Sequence, residues 1–226
     1  MFKTSILAVA AIMLSSLPVQ AGFISSVVKT NGNDSCGAAG CPDLDWVALN
    51  DTNLARNDRS HTLIEIPDEL LEDNATQPDE IAEMIQLSNS DKAATDILHE
   101  VTLSRLSVLY VGIDNRQFDN GGGTTVQTNE YSWMSDTSFT GLPSAFINTG
   151  RIIGVDENNN GSANQYFTLF AAIAPAGTYT LGAHEGGGNN MYIVIADDHV
   201  LAVPEPAGVA LAMFGVLGIA ALRRKK

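Results

Sequence analysis

Asp156, Asn158 and Asn160 stand at alternate positions of Asp156-Glu157-Asn158-Asn159-Asn160-Gly161. Side-chain oxygens at that spacing, closed by a glycine that permits a sharp turn, are what a hard cation such as calcium requires. The same residues suit a β-hairpin turn, in which Asn and Gly supply positive φ. Phe167 occupies the twelfth position of the loop, where an EF-hand places a bidentate Glu. Asp114, Asp119 and Asn120 make a second, weaker oxygen-rich loop.

Other chemistry is thinner. Tyr131 and Trp133 are two residues apart and would share one face of a strand, where exposed rings could stack on a sugar; core packing is the alternative. Trp46, beside Asp45, is a further aromatic of that kind. Neither G-x-S-x-G nor H-E-x-x-H occurs, so no nucleophile with its base is apparent. His61, His99, His184 and His199 are scattered and are expected on the surface or in loops. Two distant carboxylates suffice for glycoside hydrolysis, and with 26 Asp and Glu such a pair carries no information. Cys36 and Cys41 bracket Gly37-Ala38-Ala39-Gly40, a loop short and flexible enough to close as a local disulfide in an oxidising compartment.

The elements that must position these residues read mainly as strands. Leu106 to Ile113 is apolar on both faces, as in a strand buried between layers. Tyr166 to Ile173, Thr178 to Gly182 and Met191 to Ala196 are further strands, with Ala145 to Asn148 and Arg151 to Val155 weaker. Turn signals separate them at 119–123, 158–161, 175–177 and 186–188. Many short strands so spaced predict an antiparallel sandwich. Residues 67–88 stay open. Pro67-Asp68-Glu69 could start a helix and Ile81, Met84 and Ile85 have helical spacing, yet Met84 to Leu87 could equally be a strand.

The ends read as targeting segments. Lys3, the apolar run Ile6 to Leu14 and the small residues Val19 and Ala21 have the layout of a signal peptide, with Gly22 as the mature start. At the other end, Ala207 to Leu222 carries no charge and is followed by Arg223, Arg224, Lys225 and Lys226. A transmembrane helix here, somewhat short for a ~30 Å hydrocarbon core, would keep the basic residues in the cytoplasm and the preceding domain outside. Val203-Pro204-Glu205-Pro206 stays extended just before it, because proline lacks an N–H donor and restricts its neighbours. Three parts follow: 1–21 a signal peptide, 22–202 one extracytoplasmic domain, and 203–226 a sorting tail.

Charge agrees with export. The chain holds 12 Lys and Arg against 26 Asp and Glu, a net −14. Losing Lys3 and the four terminal basic residues leaves 7 against 26, a formal balance near −19. Such a surface argues against nucleic acid and anionic lipid, and suits divalent cations or a hydrated polysaccharide.

The tail from Val203 to Lys226 resembles a PEP-CTERM sorting signal, the Gram-negative counterpart of cell-wall sorting tails. That resemblance implies recognition by an exosortase, cleavage near Pro204-Glu205-Pro206, and release to the cell surface or extracellular matrix. Ile81 to Ala196 is similar to one group of PEP-CTERM ectodomains, through Asn89 to Lys92, Leu109 to Asp114, Ile153 to Glu157 and Gly177 to Gly182. It implies a jelly-roll-like β-sandwich. The expected function is a non-catalytic, exopolysaccharide-associated surface or matrix protein, with signal peptidase and exosortase as processing partners. The alternatives are a carbohydrate-binding module and, behind it, a secreted hydrolase.

Overall fold

The most apolar stretches of the chain become the middle of one large sheet. The structure is a computed structural model that describes residues 22–30, 44, 46–50, 55–56, 58–71, 81–119, 121–185 and 189–198. Ala21, Cys36, Cys41, Asp45, Asn120, His199 and the sorting residues 203–226 lie outside the described residues, as does the side chain of Asp119.

The strands are β1 (Ile24–Thr30), β2 (Trp46–Ala48), β3 (Thr62–Ile64), β4 (Glu83–Ile85), β5 (Leu98–Leu103), β6 (Ser107–Asp114), β7 (Ile147–Asp156), β8 (Gln165–Ala174), β9 (Gly177–Leu181) and β10 (Ile193–Asp197). The short helices are α1 (Asp68–Leu71), α2 (Ser132–Ser135) and α3 (Thr137–Thr140). A seven-stranded sheet runs β2-β4-β10-β6-β8-β7-β3, and a three-stranded sheet runs β1-β5-β9. All pairings are antiparallel. The fold is mainly β and sandwich-like.

Every residue of β6 is buried, because the large sheet is covered on both faces. Leu109, Val111, Ile113, Phe170 and Val194 face Val101, Leu103, Tyr179 and Leu181 of the small sheet. Val108, Tyr110, Leu169, Ile193 and Ile195 face the other way, into a second cluster closed by Leu49, Leu63, Ile66 and Leu70. That double coverage explains the continuous apolar runs of β6 and β10. In β5 only alternate residues are buried, as in a strand with one solvated face.

Two open regions resolve here. Residues 67–88 contain both elements: α1 with Pro67 before it, and β4, which pairs with β2 and β10. A 3₁₀ turn at Asn89–Ala93 follows β4. Asp58, thirty residues upstream, accepts from the Asn89 and Ser90 amides and from the Ser88 and Ser90 hydroxyls. Although partial burial opposes it, these donors and Arg59 hold the Asp58 carboxyl below the usual range. The two weak strand candidates at 145–148 and 151–155 are one strand, β7, interrupted by a bulge. Gly150 adopts φ 69° there, and the Thr149 hydroxyl donates to the Leu169 carbonyl at 2.7 Å.

Tyr131 and Trp133 depart from the expected strand. Tyr131 immediately precedes α2 and Trp133 lies within it, with rings stacked 5.9 Å apart. Both are buried in the core between the sheets, against Tyr192 and Phe146. Tyr131 is still extended (φ −67°, ψ 146°) as the N-cap residue of α2, so the pair straddles the change from extended chain to helix, and a two-residue interval is too short to reveal that change.

Candidate functional site

β6 delivers Asp114 and β7 delivers Asp156 to the same end of the sandwich, so the two oxygen-rich loops become neighbours. Their carboxylates face N–H donors. Asp114 is fully buried; its Oδ1 accepts from the Arg116 amide (2.9 Å), Arg116 Nε (3.1 Å) and Gln165 Nε2 (2.8 Å). Its Oδ2 accepts from Arg116 Nη2 (2.7 Å) and the Asn190 amide (3.1 Å). The Arg116 guanidinium thus holds the place beside Asp114 that a bound cation would take, and it reaches Glu157 at 3.5 Å. Pairing with Asp114 raises the Arg116 pKa. Arg56 lies buried nearby, donating to the carbonyls of Ala55, Met191 and Tyr192, with its guanidinium 5.4 Å from the Phe167 ring. Burial lowers its pKa to about 10, although Asp114, Asp58 and Glu157 act against that fall.

The 156–161 segment is the turn between β7 and β8. Asp156 Oδ1 accepts from the Asn158 amide (3.0 Å) and Oδ2 from the Gly161 amide (2.6 Å), while Asn160 Oδ1 accepts from the Ser162 amide (3.0 Å). Asn159 and Gly161 take positive φ, 54° and 80°. Desolvation would raise the Asp156 pKa; the loop's own amides outweigh it and hold the carboxyl below the usual range. Among the described residues no group of three or more His, Cys, Asp or Glu is placed to hold a metal. Because both Asp156 oxygens already accept loop amides, Asp156→Ala is expected to lower the melting temperature equally in calcium and in EDTA. Because the folded pKa is depressed, the contribution is complete above the unfolded value near ~4 and disappears as pH falls through the folded pKa. A loss seen only with calcium, measured by thermal unfolding in both buffers, would return the loop to metal binding.

Beside the three-stranded sheet a groove of about 540 Å³ lies between α2–α3, the start of β5 and the segment following β9. Trp133, Phe139, Asp136, Ser132, His184 and Glu185 contribute to its walls. Its carboxylates are occupied by short-helix donors. Asp136 Oδ1 accepts from the Ser138 and Phe139 amides at 3.0 Å, and Glu185 accepts from the Ser132 amide (2.8 Å) and hydroxyl. Trp133 Nε1 donates to the Ala183 carbonyl (3.1 Å), tying α2 to the other wall. Phe139 is 38% exposed, whereas His184 is only 4% exposed.

Behind this groove runs a buried polar string. Lys29 Nζ meets Asp91 Oδ1 at 2.8 Å, and Asp91 Oδ2 lies 3.7 Å from His99 Nε2. His99 Nδ1 is 2.8 Å from the Tyr192 hydroxyl, which donates to the Gly182 carbonyl at 2.9 Å. Since that hydroxyl spends its proton on Gly182, His99 Nδ1 carries the proton between them. Burial, first, and then Tyr131 and Asp91 raise the Tyr192 pKa well above its ordinary value.

His99, buried in β5, departs from the expectation that the histidines lie on the surface or in loops, whereas His184 is in a loop but buried. His99 points inward from β5, where alternation places it beside Val101 and Leu103. His184 sits in a loop that folds over the Tyr131 ring, 5.6 Å between centroids. Sequence reasoning missed His184, Glu185, Phe139 and the amides Gln117 and Gln127. No short motif links them, because their partners lie tens of residues away: Ser132 for Glu185, and the Glu185 carbonyl for Gln117. Trp46, on the edge strand β2, is 37% exposed.

The chain matches the PEP-CTERM protein-sorting motif over residues 202–225. That motif implies targeting by an exosortase, with export to the surface or exterior of a Gram-negative cell. Comparison with curated proteins finds no match. Among solved structures the chain is similar to a GH138 enzyme targeting pectin rhamnogalacturonan II, at 10% identity and a TM-score of 0.42. The similarity covers 83% of this chain and 18% of that enzyme. It is too loose to transfer an activity.

Proposed function

We propose that the protein is an exported surface or matrix component, cut by signal peptidase after Ala21 and by an exosortase near Pro204-Glu205-Pro206, and without catalytic activity of its own. The sorting motif at 202–225 carries this reading. Its transmembrane helix, Ala207 to Leu222, holds the chain in the inner membrane until the cut, and Arg223 to Lys226 keep the stub inside. Cys36 and Cys41 close as a disulfide once exported. The ectodomain is a jelly-roll-like sandwich, supported by two facing sheets in which neighbours are mostly non-consecutive in sequence. Its acidic surface suits a hydrated exopolysaccharide matrix more than nucleic acid or anionic membrane.

Support for a non-catalytic role comes from the groove. Asp136 and Glu185 accept amide and hydroxyl donors there as caps of α3 and α2. A hydrolase would instead need two carboxylates poised across an open bond.

Mass spectrometry of the native secreted protein is expected to show Gly22 as the first residue, no free thiol, and loss of everything beyond the Pro-Glu-Pro region. In cells lacking the exosortase the C-terminus should stay intact and the protein should remain with the inner membrane. A secreted form that keeps Arg223 to Lys226 would sink the sorting proposal.

A further inference from the structure

We propose that Glu83 is the receptor for the α-ammonium that signal-peptide removal creates at Gly22, so that export completes a clamp between the two sheets. This rests on the reading that signal peptidase cuts after Ala21, and it gives that cut a structural consequence. Hydrolysis of the Ala21–Gly22 amide by one water leaves a carboxylate on Ala21 and an ammonium on Gly22.

The Glu83 carboxylate already gathers main-chain nitrogens from the first mature residues. The Ile24 amide donates to its Oε2 at 2.6 Å, and the Phe23 amide bonds to the same carboxylate. Gly22 lies against it as well. A Cβ at position 22 would come within 2.7 Å of Glu83 Cδ and 3.0 Å of Oε2, and closer still to Oε1. One N–Cα bond of ~1.46 Å separates the α-nitrogen from that crowded carbon, so the nitrogen lies within about 5 Å of the carboxylate. The Ser104 hydroxyl donates to the Gly22 carbonyl and the Ser104 amide to the Phe23 carbonyl (2.9 Å), which holds the terminus in place. Glycine at position 22 leaves room for the carboxylate, where any side chain would displace it.

The electrostatics call for one more cation. Glu83 is half-buried, and that burial raises its pKa although the Ile24 amide, Arg105 and the Phe23 amide act against the rise. A carboxylate whose donors do not offset its burial gains from an opposite charge at contact distance. The uncut chain presents a neutral amide at Gly22, whereas the cut chain presents a charged group with three donors. The pair also bridges the architecture. Glu83 belongs to β4 of the large sheet, and Gly22 leads through the buried Phe23 into β1 of the small one. Lys29 Nζ already fastens the far end of β1 to Asp91 at 2.8 Å. The new ammonium fastens the near end.

The test uses the native processed protein purified from the medium, with its intact mass expected to place Gly22 first. Transamination with pyridoxal phosphate turns that α-amine into an uncharged carbonyl and leaves the lysines unchanged. In urea, the treated wild type should show an unfolding constant about fivefold larger, the upper end for a partly exposed ion pair. The same treatment should change Glu83→Gln by less than about twofold, because the amine there has already lost its partner. The carbon-13 resonance of the Glu83 carboxyl should also move on transamination, a readout that stands if Glu83→Gln fails to fold. Unfolding unchanged by transamination, an equal loss in Glu83→Gln, or an unmoved Glu83 resonance would overturn the pair. Any of these with Gly22 as the first residue leaves the export reading intact, whereas a different first residue overturns the pair and the assumed cut together. Trimming beyond the Pro-Glu-Pro region, read from the same mass, tests the exosortase step separately.

Discussion

Asp114→Ala is expected to lower the free energy of unfolding by about 3–5 kcal/mol, because it strips a fully buried charge from its partners. Five donors converge on that carboxylate: the Arg116 amide, Arg116 Nε and Nη2, Gln165 Nε2 and the Asn190 amide. They come from the loop after β6, the start of β8 and the segment before β10, so the carboxylate fastens three pieces of backbone. Alanine leaves the buried donors unmatched and Arg116 without its charge. Asp114→Asn keeps the volume and one acceptor but turns an amide N–H toward other donors; it should fall between wild type and alanine. Urea unfolding at neutral pH reads the effect as a lower midpoint with an unchanged slope. A loss below about 1 kcal/mol would mean that water or neighbouring side chains replace the carboxylate at little cost.

Trp133→Ala should be comparably damaging, about 3–5 kcal/mol, since it empties the inter-sheet core of its largest ring. That ring stacks on Tyr131, meets Phe146 edge-on at 6.0 Å and contacts Tyr192 at 5.7 Å. Gly182 is the reason it fits. A Cβ at position 182 would come within 2.4 Å of Trp133 Cδ1, 2.5 Å of Cγ and 2.9 Å of Nε1. No positive φ obliges glycine at that position, so Gly182→Ala isolates the collision from backbone strain. It should cost about 1–3 kcal/mol as an overpacking change. Combining it with Trp133→Leu should cost less than the two single changes together, because the smaller side chain removes the clash. Strict additivity would show that the glycine serves something other than the indole. Trp133 emission reports the event directly, Trp46 being the chain's other tryptophan and partly exposed.

His184 shows why the groove was harder to read than the strands. A strand announces itself by a period of two or by a continuous apolar run, both local. The elements β6, β8, β9 and β10 were legible for that reason, within a residue or two of their ends. β7 looked like two fragments because the bulge at Thr149-Gly150 breaks alternation without ending the strand. The 156–161 turn was legible as a turn, and its Asn and Gly residues take the positive φ that the hairpin alternative required.

What those residues' side chains would face was not legible. Asp114 looked like a cation ligand until the fold brought Arg116, Gln165 and Asn190 onto it. Of the two readings open for Tyr131 and Trp133, stacking platform and core packing, the fold puts both rings in the core. Phe139, in the next short helix, keeps its ring more than a third exposed.

The amino-acid sequence alone determined the C-terminal sorting motif and the β-rich class. Hydropathy, charge and proline act along the chain and need no partner to be read. Only the tertiary structure decided which polar groups are spent on one another. Those pairings join residues 50 to 100 positions apart, as Glu185 with Ser132 and Tyr192 with His99 do. Burial then sets what each group is: an imidazole on a surface is a solvated base, while burial lowers the His184 pKa to about 4 and keeps its ring neutral at pH 7.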